Sequence, residues 1–150
     1  MTGDCRMRKR KRMSAGRVSA AGGCLAAALF TRLLFAADPF AVEVPLAADG
    51  VQRAAIEADS YDFLPRHLVV QAGKPVELTV KSLTWVVPHN VVIDDPRSGL
   101  AIREEVPAGE SVTIRFTPAV PGTFAIYCDK KLPFFKSHRE KGMEGVLEVR

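Results

Sequence analysis

From residue 54 onward the chain consists of short runs of β-branched and aromatic residues separated by Gly, Pro and Asp. In two of these runs, residues 76–80 (VELTV) and 111–116 (SVTIRF), apolar and polar side chains alternate strictly. Strict alternation predicts a strand that buries one face against a facing sheet. The first run lies within the predicted strand 75–81, and similar segments cover residues 54–58, 67–70, 90–93, 123–127 and 146–149. Seven or eight short strands predict an all-β sandwich or barrel, formed as one domain by residues 54–150.

Two other stretches carry weaker patterns. Residues 38–53 have no clear periodicity, and we predict a linker or a first edge strand there. Residues 100–105 precede Pro107 and are expected to form a turn at most, because proline cannot continue a helix. The sequence contains no internal repeat or low-complexity tract that would indicate a different architecture.

The first 37 residues have the composition of an export signal. A basic run at residues 6–12 (RMRKRKR) precedes an apolar stretch from Val18 to Ala37 that only Arg32 interrupts with charge. We therefore predict a signal segment over residues 1–37 and a periplasmic or secreted protein. Because Arg32 divides the apolar run, the alternative is a protein tethered to the membrane by an uncleaved N-terminus.

Removal of this leader reverses the sign of the net charge. The whole chain has 21 Lys and Arg against 17 Asp and Glu, but eight of the basic residues and one acid lie within residues 1–37. The remaining 113 residues carry 13 basic and 16 acidic side chains. Since a nucleic-acid-binding domain needs a basic face, we predict no nucleic-acid partner.

Cysteine usage points toward a metal site. Cys5 and Cys24 fall in the leader, so Cys128 is the lone thiol of the predicted domain and a disulfide within it is excluded. An unpaired thiol in an exported protein is susceptible to oxidation unless it has a functional role, and metal coordination is such a role. A buried, inert cysteine is the alternative interpretation of Cys128 taken alone.

The residues around Cys128 favour the metal. His138 and Met143 follow it along the chain, and His89 lies upstream in the apolar run VVPHNVVI. Two imidazoles, one thiol and one thioether are the ligand types of a mononuclear type 1 copper site. Sulfur donors are soft and stabilise Cu(I), whereas imidazole binds copper in either oxidation state.

Over residues 54–150 the chain resembles the cupredoxins, small single-domain relatives of plastocyanin and azurin. The similarity rests on Tyr127-Cys128 with His138-x₄-Met143-x-Gly145, and on the His89-Asn90 pair. It extends to residues 61–65 (YDFLP), 72–76 (AGKPV), 107–110 (PAGE), 116–118 (FTP) and 121–124 (PGTF). The resemblance implies a cupredoxin-like Greek-key β-sandwich of seven or eight strands.

The resemblance also implies a role for each ligand of one copper ion. His89 and His138 would be the equatorial nitrogen ligands, Cys128 the equatorial thiolate, and Met143 the weak axial ligand. Asn90 resembles the family asparagine that ties the two ligand loops together by hydrogen bonds. Nine residues separate Cys128 from His138, more than in plastocyanin-like proteins and similar to the type 1 domain of copper nitrite reductases.

The loop between Cys128 and His138 suggests a docking surface. Its apolar segment, residues 132–135 (LPFF), is bracketed by basic residues from Lys130 to Lys141. An apolar patch with a basic rim would bind an acidic redox protein, because the rim steers encounter and the patch allows close approach. The alternative is that Phe134 and Phe135 pack back as a small core of the loop.

These observations predict an extracytoplasmic one-electron carrier that is monomeric, has no small-molecule substrate and is not an enzyme. The alternative is a periplasmic copper-binding protein for delivery, storage or sensing. The carrier is favoured because the chain has one complete ligand set and no Met-rich or His-rich tract. A metal-free adhesive sandwich is a third interpretation, since fold does not fix function.

An oxidase or nitrite reductase would need further histidines for a second copper centre. Beyond the two proposed ligands only His67 remains, and its position at a strand start predicts a structural or exposed side chain. Trp85, shortly before His89, is expected either to pack in the core or to line an electron route.

Overall fold

The computed structural model describes residues 40–150, which form ten β-strands and two 3₁₀ turns. The predicted export segment, including Cys5 and Cys24, lies outside the described residues. The strands are β1 (Ala41–Glu43), β2 (Gln52–Asp59), β3 (Asp62–Leu64), β4 (His67–Val70), β5 (Val76–Ser82), β6 (His89–Asp95), β7 (Leu100–Val106), β8 (Ser111–Phe116), β9 (Gly122–Tyr127) and β10 (Glu144–Val149). The 3₁₀ turns are Pro96–Ser98 and Arg139–Lys141. Within residues 40–150, no helix has the length and apolar character needed to cross a membrane.

The strands form two sheets that pack face to face. One sheet has six strands in the order β1-β4-β10-β9-β6-β7, and the other has four in the order β3-β2-β5-β8. The core between them contains apolar side chains of both sheets, for example Ile56, Leu78 and Val80 with Ile93 and Leu147, all at most 1% exposed. The structure therefore confirms the predicted all-β, cupredoxin-like sandwich, with ten strands instead of seven or eight.

Alternation in the sequence identifies the buried face of the central strands. In β5 the side chains of Val76, Leu78 and Val80 are buried, whereas Glu77 and Thr79 lie on the other face. The bounds of β4 and β8 agree with the predicted segments 67–70 and 111–116. The region 38–53 contains the short edge strand β1, one of the two structures predicted for it.

Strand β7 was not predicted. Residues 100–105 were expected to form a turn at most, and this prediction was wrong, because residues 100–106 pair with β6 along their whole length. Only Leu100 and Val106, at the two ends, are buried. The charged run from Arg103 to Glu105 conceals the strand pattern, since an edge strand exposes most of its side chains and charge there discourages further pairing.

The topology brings the predicted ligand residues to one end of the sandwich. His89 is the first residue of β6, Cys128 follows the last residue of β9, and Met143 precedes β10. Strands β9 and β10 are antiparallel, with Tyr127 opposite Glu144, so the end of one lies beside the start of the other. Strand β6 is also antiparallel to β9, which places its first residues at the same end.

Candidate metal centre

Three side chains converge at this end of the sandwich. A ligand atom of each of His89, Cys128 and His138 lies within 4.8 Å of the others. Cys128 Sγ is 3.4 Å from His138 Nδ1, and the two imidazole centroids are 5.3 Å apart. His89 and Cys128 are fully buried, and His138 is 7% exposed. One thiol and two imidazoles at these distances can bind a single metal ion.

The two ring nitrogens of His89 have different surroundings. Nε2 lies 3.2 Å from the hydroxyl oxygen of Thr84, and that hydroxyl donates to the Val87 carbonyl oxygen at 2.7 Å. Because the hydroxyl hydrogen is already used, Thr84 accepts a hydrogen bond from Nε2, and this leaves Nδ1 with a lone pair. Nδ1 is buried and has no hydrogen-bond partner among residues 40–150. A buried lone pair without a partner is costly, so the site fits a metal ion at Nδ1.

The electrostatic environment favours the neutral form of both imidazoles. Burial, followed by the proximity of His138, lowers the pKa of His89 to about 4. Burial also lowers the pKa of His138, and Lys141 and Lys130 lower it further. Both imidazoles therefore offer lone pairs at neutral pH. Burial raises the pKa of the Cys128 thiol, so metal binding at this site releases a proton.

Asn90 links the loop of His89 to the loop of Cys128, as the resemblance implied. Its backbone N–H donates to Cys128 Sγ at 3.4 Å. Its side-chain Nδ2 donates to Asp129 Oδ1 at 2.8 Å, and its Oδ1 accepts from the Asp129 N–H at 3.1 Å. Asp129 was not identified from the sequence, where its position directly after Cys128 was the available signal. The paired bonds hold the residue directly after Cys128 against the residue directly after His89.

Met143 is fully buried beside this group. Its N–H donates to the His138 carbonyl oxygen at 3.0 Å, and its carbonyl oxygen accepts from the Cys128 N–H at 3.2 Å. Two backbone hydrogen bonds therefore hold Met143 against the two neighbouring ligand candidates. Coordination by its sulfur remains a prediction.

The long loop between Cys128 and His138 is closed at its base. The His138 N–H donates to the Lys130 carbonyl oxygen at 2.8 Å. This bond returns the chain to the site, so the thiol and the imidazole lie close together although nine residues separate them. The tip residues Phe134 and Phe135 are fully exposed and 62% exposed, respectively. They do not form the small core that was the alternative for this loop.

An apolar surface lies over His138. A cavity of about 440 Å³ is lined by His138 and by side chains of two loops, including Val86, Leu132 and Phe135. Four lysines also line it: Lys130, Lys131, Lys136 and Lys141. Trp85 directly precedes Val86 in the sequence and is 87% exposed, so it is not a core residue. We call the cavity lining together with Trp85 and Phe134 the loop surface.

Two of the lysines of the loop surface have specific partners. Lys130 forms an ion pair with Glu105 of β7. The Lys141 ammonium group donates to the Tyr61 hydroxyl at 3.0 Å and lies 4.1 Å from the centre of the Tyr61 ring. Tyr61 in turn packs edge-on against His138, with ring centroids 5.0 Å apart. Positive charge is thus held close to the most exposed of the three grouped side chains.

His67 lies outside the group. Its Nε2 is 3.0 Å from Glu148 Oε2 on the neighbouring strand β10, and the side chain is 15% exposed. This contact agrees with the structural role predicted for His67.

A comparison with protein families identifies the family to which the fold belongs. Residues 25–145 match the family model of the cupredoxin-like domain. This match covers most of the chain and includes the ligand candidates from His89 to Met143. The protein belongs to the cupredoxin-like domain family. A search of curated protein sequences gave no match.

Many solved structures are similar to this fold, among them the following three, each with low sequence identity. The metal-binding domain of the Cu(I)-exporting P-type ATPase CopA of Streptococcus pneumoniae D39, determined with Cu(I), is 24% identical, with 73% of this chain and 95% of that chain covered and a TM-score of 0.54. Dithionite-reduced auracyanin of Roseiflexus castenholzii is 21% identical, with 65% and 96% covered and a TM-score of 0.53. Auracyanin A, a blue copper protein of Chloroflexus aurantiacus, is 20% identical, with 67% and 100% covered and a TM-score of 0.53.

Proposed function

We propose that the protein is an extracytoplasmic type 1 copper protein that carries single electrons between redox proteins. His89, Cys128 and His138 would hold the copper ion, and Met143 would be its weak axial ligand. Bound copper supplies a reversible Cu(II)/Cu(I) couple, and the mixture of imidazole and sulfur donors suits both oxidation states. The observation that carries the proposal is the buried, unpartnered Nδ1 of His89 grouped with the Cys128 thiol and the His138 imidazole.

The burial of the site supports a carrier over a delivery protein. His89, Cys128 and Met143 have no exposed surface. His89 is oriented by the hydrogen bond that it donates to Thr84, and Cys128 by the one that it accepts from Asn90. A closed site of this kind retains its metal while electrons pass, and ligands that are already oriented need little rearrangement when the charge of the metal changes. We propose no enzymatic activity and no small-molecule substrate.

Delivery of copper is the second candidate function. The structure with the same fold from Streptococcus pneumoniae is a domain of a Cu(I) exporter determined with Cu(I). A delivery protein must release its metal to an acceptor, and His138, which lines an open cavity, is the ligand candidate that such an acceptor would reach first. The rate of metal exchange therefore distinguishes the two functions.

The proposed partner is an acidic redox protein that binds the loop surface. This surface is apolar at its centre and carries four lysines, so it complements a partner with acidic groups around an apolar contact. Val86 and Phe134 are 85% and fully exposed, as expected of residues that become buried on association. His138 lies beneath this surface and would provide a short path for the electron. We propose that the protein is a monomer.

The proposed location outside the cytoplasm depends on the sequence of residues 1–37, with its basic and apolar segments. Cell fractionation with determination of the N-terminal residue by mass spectrometry tests it. A shortened chain in the periplasmic or secreted fraction is expected. A full-length chain in the membrane fraction would favour the uncleaved anchor, and a full-length chain in the cytoplasm would contradict export.

The first experiment on function is a Cu(II) titration followed by visible absorption. The protein carries Cys5→Ser and Cys24→Ser, so that Cys128 is its remaining thiol, and the control adds Cys128→Ser. We expect an intense thiolate-to-copper band that saturates at one equivalent, disappears in the control and bleaches reversibly with ascorbate. Copper binding without that band, or rapid transfer of copper to a competing chelator, would favour delivery over electron transfer.

A further inference from the structure

Strand β7 holds the first residues of the Cys128 loop through two ion pairs. Arg103 Nη1 is 2.7 Å from Asp129 Oδ2, and Glu105 pairs with Lys130. Arg103 and Glu105 are two residues apart on one strand, so their side chains point to the same side of the sheet. Their partners are the two residues directly after Cys128. The edge strand β7 therefore forms ion pairs with the segment that directly follows the Cys128 thiol.

A continuous path of hydrogen bonds leads from Arg103 to the sulfur. Arg103 bonds to one carboxylate oxygen of Asp129, and the other carboxylate oxygen accepts from the Asn90 side chain at 2.8 Å. The backbone N–H of Asn90 then donates to Cys128 Sγ at 3.4 Å. Arg103 contacts none of the ligand candidates itself. Its hydrogen-bonded path to the sulfur runs through Asp129 and Asn90, and its charge compensates that of Asp129 near the metal site.

The charges along this path have opposing effects on a bound ion. Asp129 follows Cys128 directly, and a carboxylate there favours the more positive oxidation state of the metal. The hydrogen bond from Asn90 and the ion pair with Arg103 both favour the ionised form of the Asp129 carboxylate. The Arg103 guanidinium compensates the negative charge. The side chains of Arg103 and Asp129 are 58% and 37% exposed, so solvent screens the pair in part.

We propose that Arg103 is a positioning residue that raises the reduction potential of the metal site by neutralising Asp129 and holding it against Asn90. The proposal rests on the proposed copper redox function. Without Arg103, the uncompensated carboxylate would stabilise the oxidised ion, and the hydrogen bond to the sulfur would be less firmly oriented. Hydrogen bonds to a metal-bound sulfur and charges near it are recognised means of tuning such a site.

The test compares four variants of the full chain loaded with copper. Arg103→Gln removes the charge, Arg103→Lys retains it, and Asp129→Asn removes the opposing charge while keeping an acceptor for Asn90. The control is Arg115→Gln, which removes another partly exposed Arg–carboxylate ion pair, with Glu77 in the other sheet. Reduction potentials are measured by spectroelectrochemical titration at low and high salt. We expect a lower potential for Arg103→Gln, recovery of most of the shift in Arg103→Lys, a higher potential for Asp129→Asn, and little change in the control.

Two results would overturn the proposal. The first is an equal potential in Arg103→Gln and Arg115→Gln. The second is the same shift in Arg103→Lys as in Arg103→Gln, which would exclude a role of the charge.

A measurement on the metal-free protein separates this proposal from the proposed function. Hydrogen exchange of the Asp129 backbone amide should rise by up to about fivefold in Arg103→Gln, the range expected for loss of an exposed ion pair. Unchanged exchange in a protein that lacks a reversible copper couple would remove the positioning role as well.

Discussion

The hydroxyl of Thr84 orients the imidazole of His89. The Thr84 oxygen lies 3.2 Å from Nε2 and donates its own hydrogen to the Val87 carbonyl oxygen, so it can only accept from the ring. This arrangement places the ring hydrogen on Nε2 and the lone pair on Nδ1. The tautomer suited to metal binding is therefore selected by a residue that is not itself a ligand.

Replacement of Thr84 by Val is expected to weaken metal binding and to destabilise the fold. The side chain keeps its shape, but the buried Nε2 hydrogen loses its acceptor, at a cost of about 1–3 kcal/mol in the free energy of unfolding. Loss of an orienting hydrogen bond of this kind lowers metal affinity by about 10–100-fold. Urea denaturation of the metal-free protein and competitive copper titration measure the two effects.

The matched control is Thr84→Ser, which retains the hydroxyl. It should keep copper affinity close to that of the wild type, although it loses one methyl group. If Thr84→Ser and Thr84→Val bound copper equally weakly, packing by the methyl group rather than the hydrogen bond would orient His89.

The free energy of unfolding of the metal-free protein should decrease as the pH is lowered from about 6.5 to 4. His89 has a pKa of about 4 in the folded protein, lowered by burial from the 6.5 of an exposed histidine. Below pH 6.5 the unfolded chain takes up a proton that the folded protein does not, so protonation favours unfolding. The loss reaches about 3 kcal/mol once the pH is below 4, from 1.36 kcal/mol per unit of pKa. The lowered pKa of His138 acts in the same direction.

Urea denaturation at pH 7, 5.5 and 4.5 measures this loss, and His89→Gln is the comparison. The variant has no imidazole to protonate at this position, so its stability should decrease less steeply over the same range. Equal slopes for the two proteins would show that His89 is not the group responsible. The metal-bound protein should lose stability as well, because protons compete with the metal for its ligands.

The sequence predicted the parts of this molecule that depend on local pattern. Alternation revealed β5 and β8, and the ligand candidates were recognised because Cys128, His138 and Met143 are close in the chain and match a family motif. Strand β7 was missed because its pairing with β6 is long-range and its exposed face is charged. The role of Thr84 could not be predicted, since it depends on where its hydroxyl lies relative to the His89 ring.

The structure explains why glycine occupies position 145, which the sequence motif includes without a reason. A side-chain carbon at this position would lie 2.6 Å from the Arg66 carbonyl oxygen, which accepts the hydrogen bond of the next residue, Val146. Gly145→Ala should therefore separate β10 from the chain before β4 and lower the free energy of unfolding by about 1–3 kcal/mol. Calorimetric melting of the metal-free protein measures the change.

Gly122→Ala is a suitable comparison for that variant. A side-chain carbon there would meet the far end of the Phe124 ring at 2.9 Å, and a flexible side chain can move where a backbone carbonyl cannot. Its effect on melting should be smaller. If Gly122→Ala were as destabilising as Gly145→Ala, close approach of the Arg66 backbone would not be the reason for glycine at position 145.

Charge reversal on the loop surface should slow electron transfer with an acidic partner and leave the copper spectrum unchanged. Lys131 and Lys136 are the better choices for this test, because Lys130 is paired with Glu105 and Lys141 with Tyr61. Lys131→Glu with Lys136→Glu would replace attraction by repulsion, which acts mainly on the rate of association.

Stopped-flow reduction of this variant by an acidic redox protein should be markedly slower at low salt, and the difference from the wild type should shrink as salt screens the charges. Lys74→Glu with Arg97→Glu changes the net charge equally and is the control, because both residues are exposed in turns at the opposite end of the sandwich. Equal slowing in the control would mean that overall charge, and not the loop surface, governs the encounter.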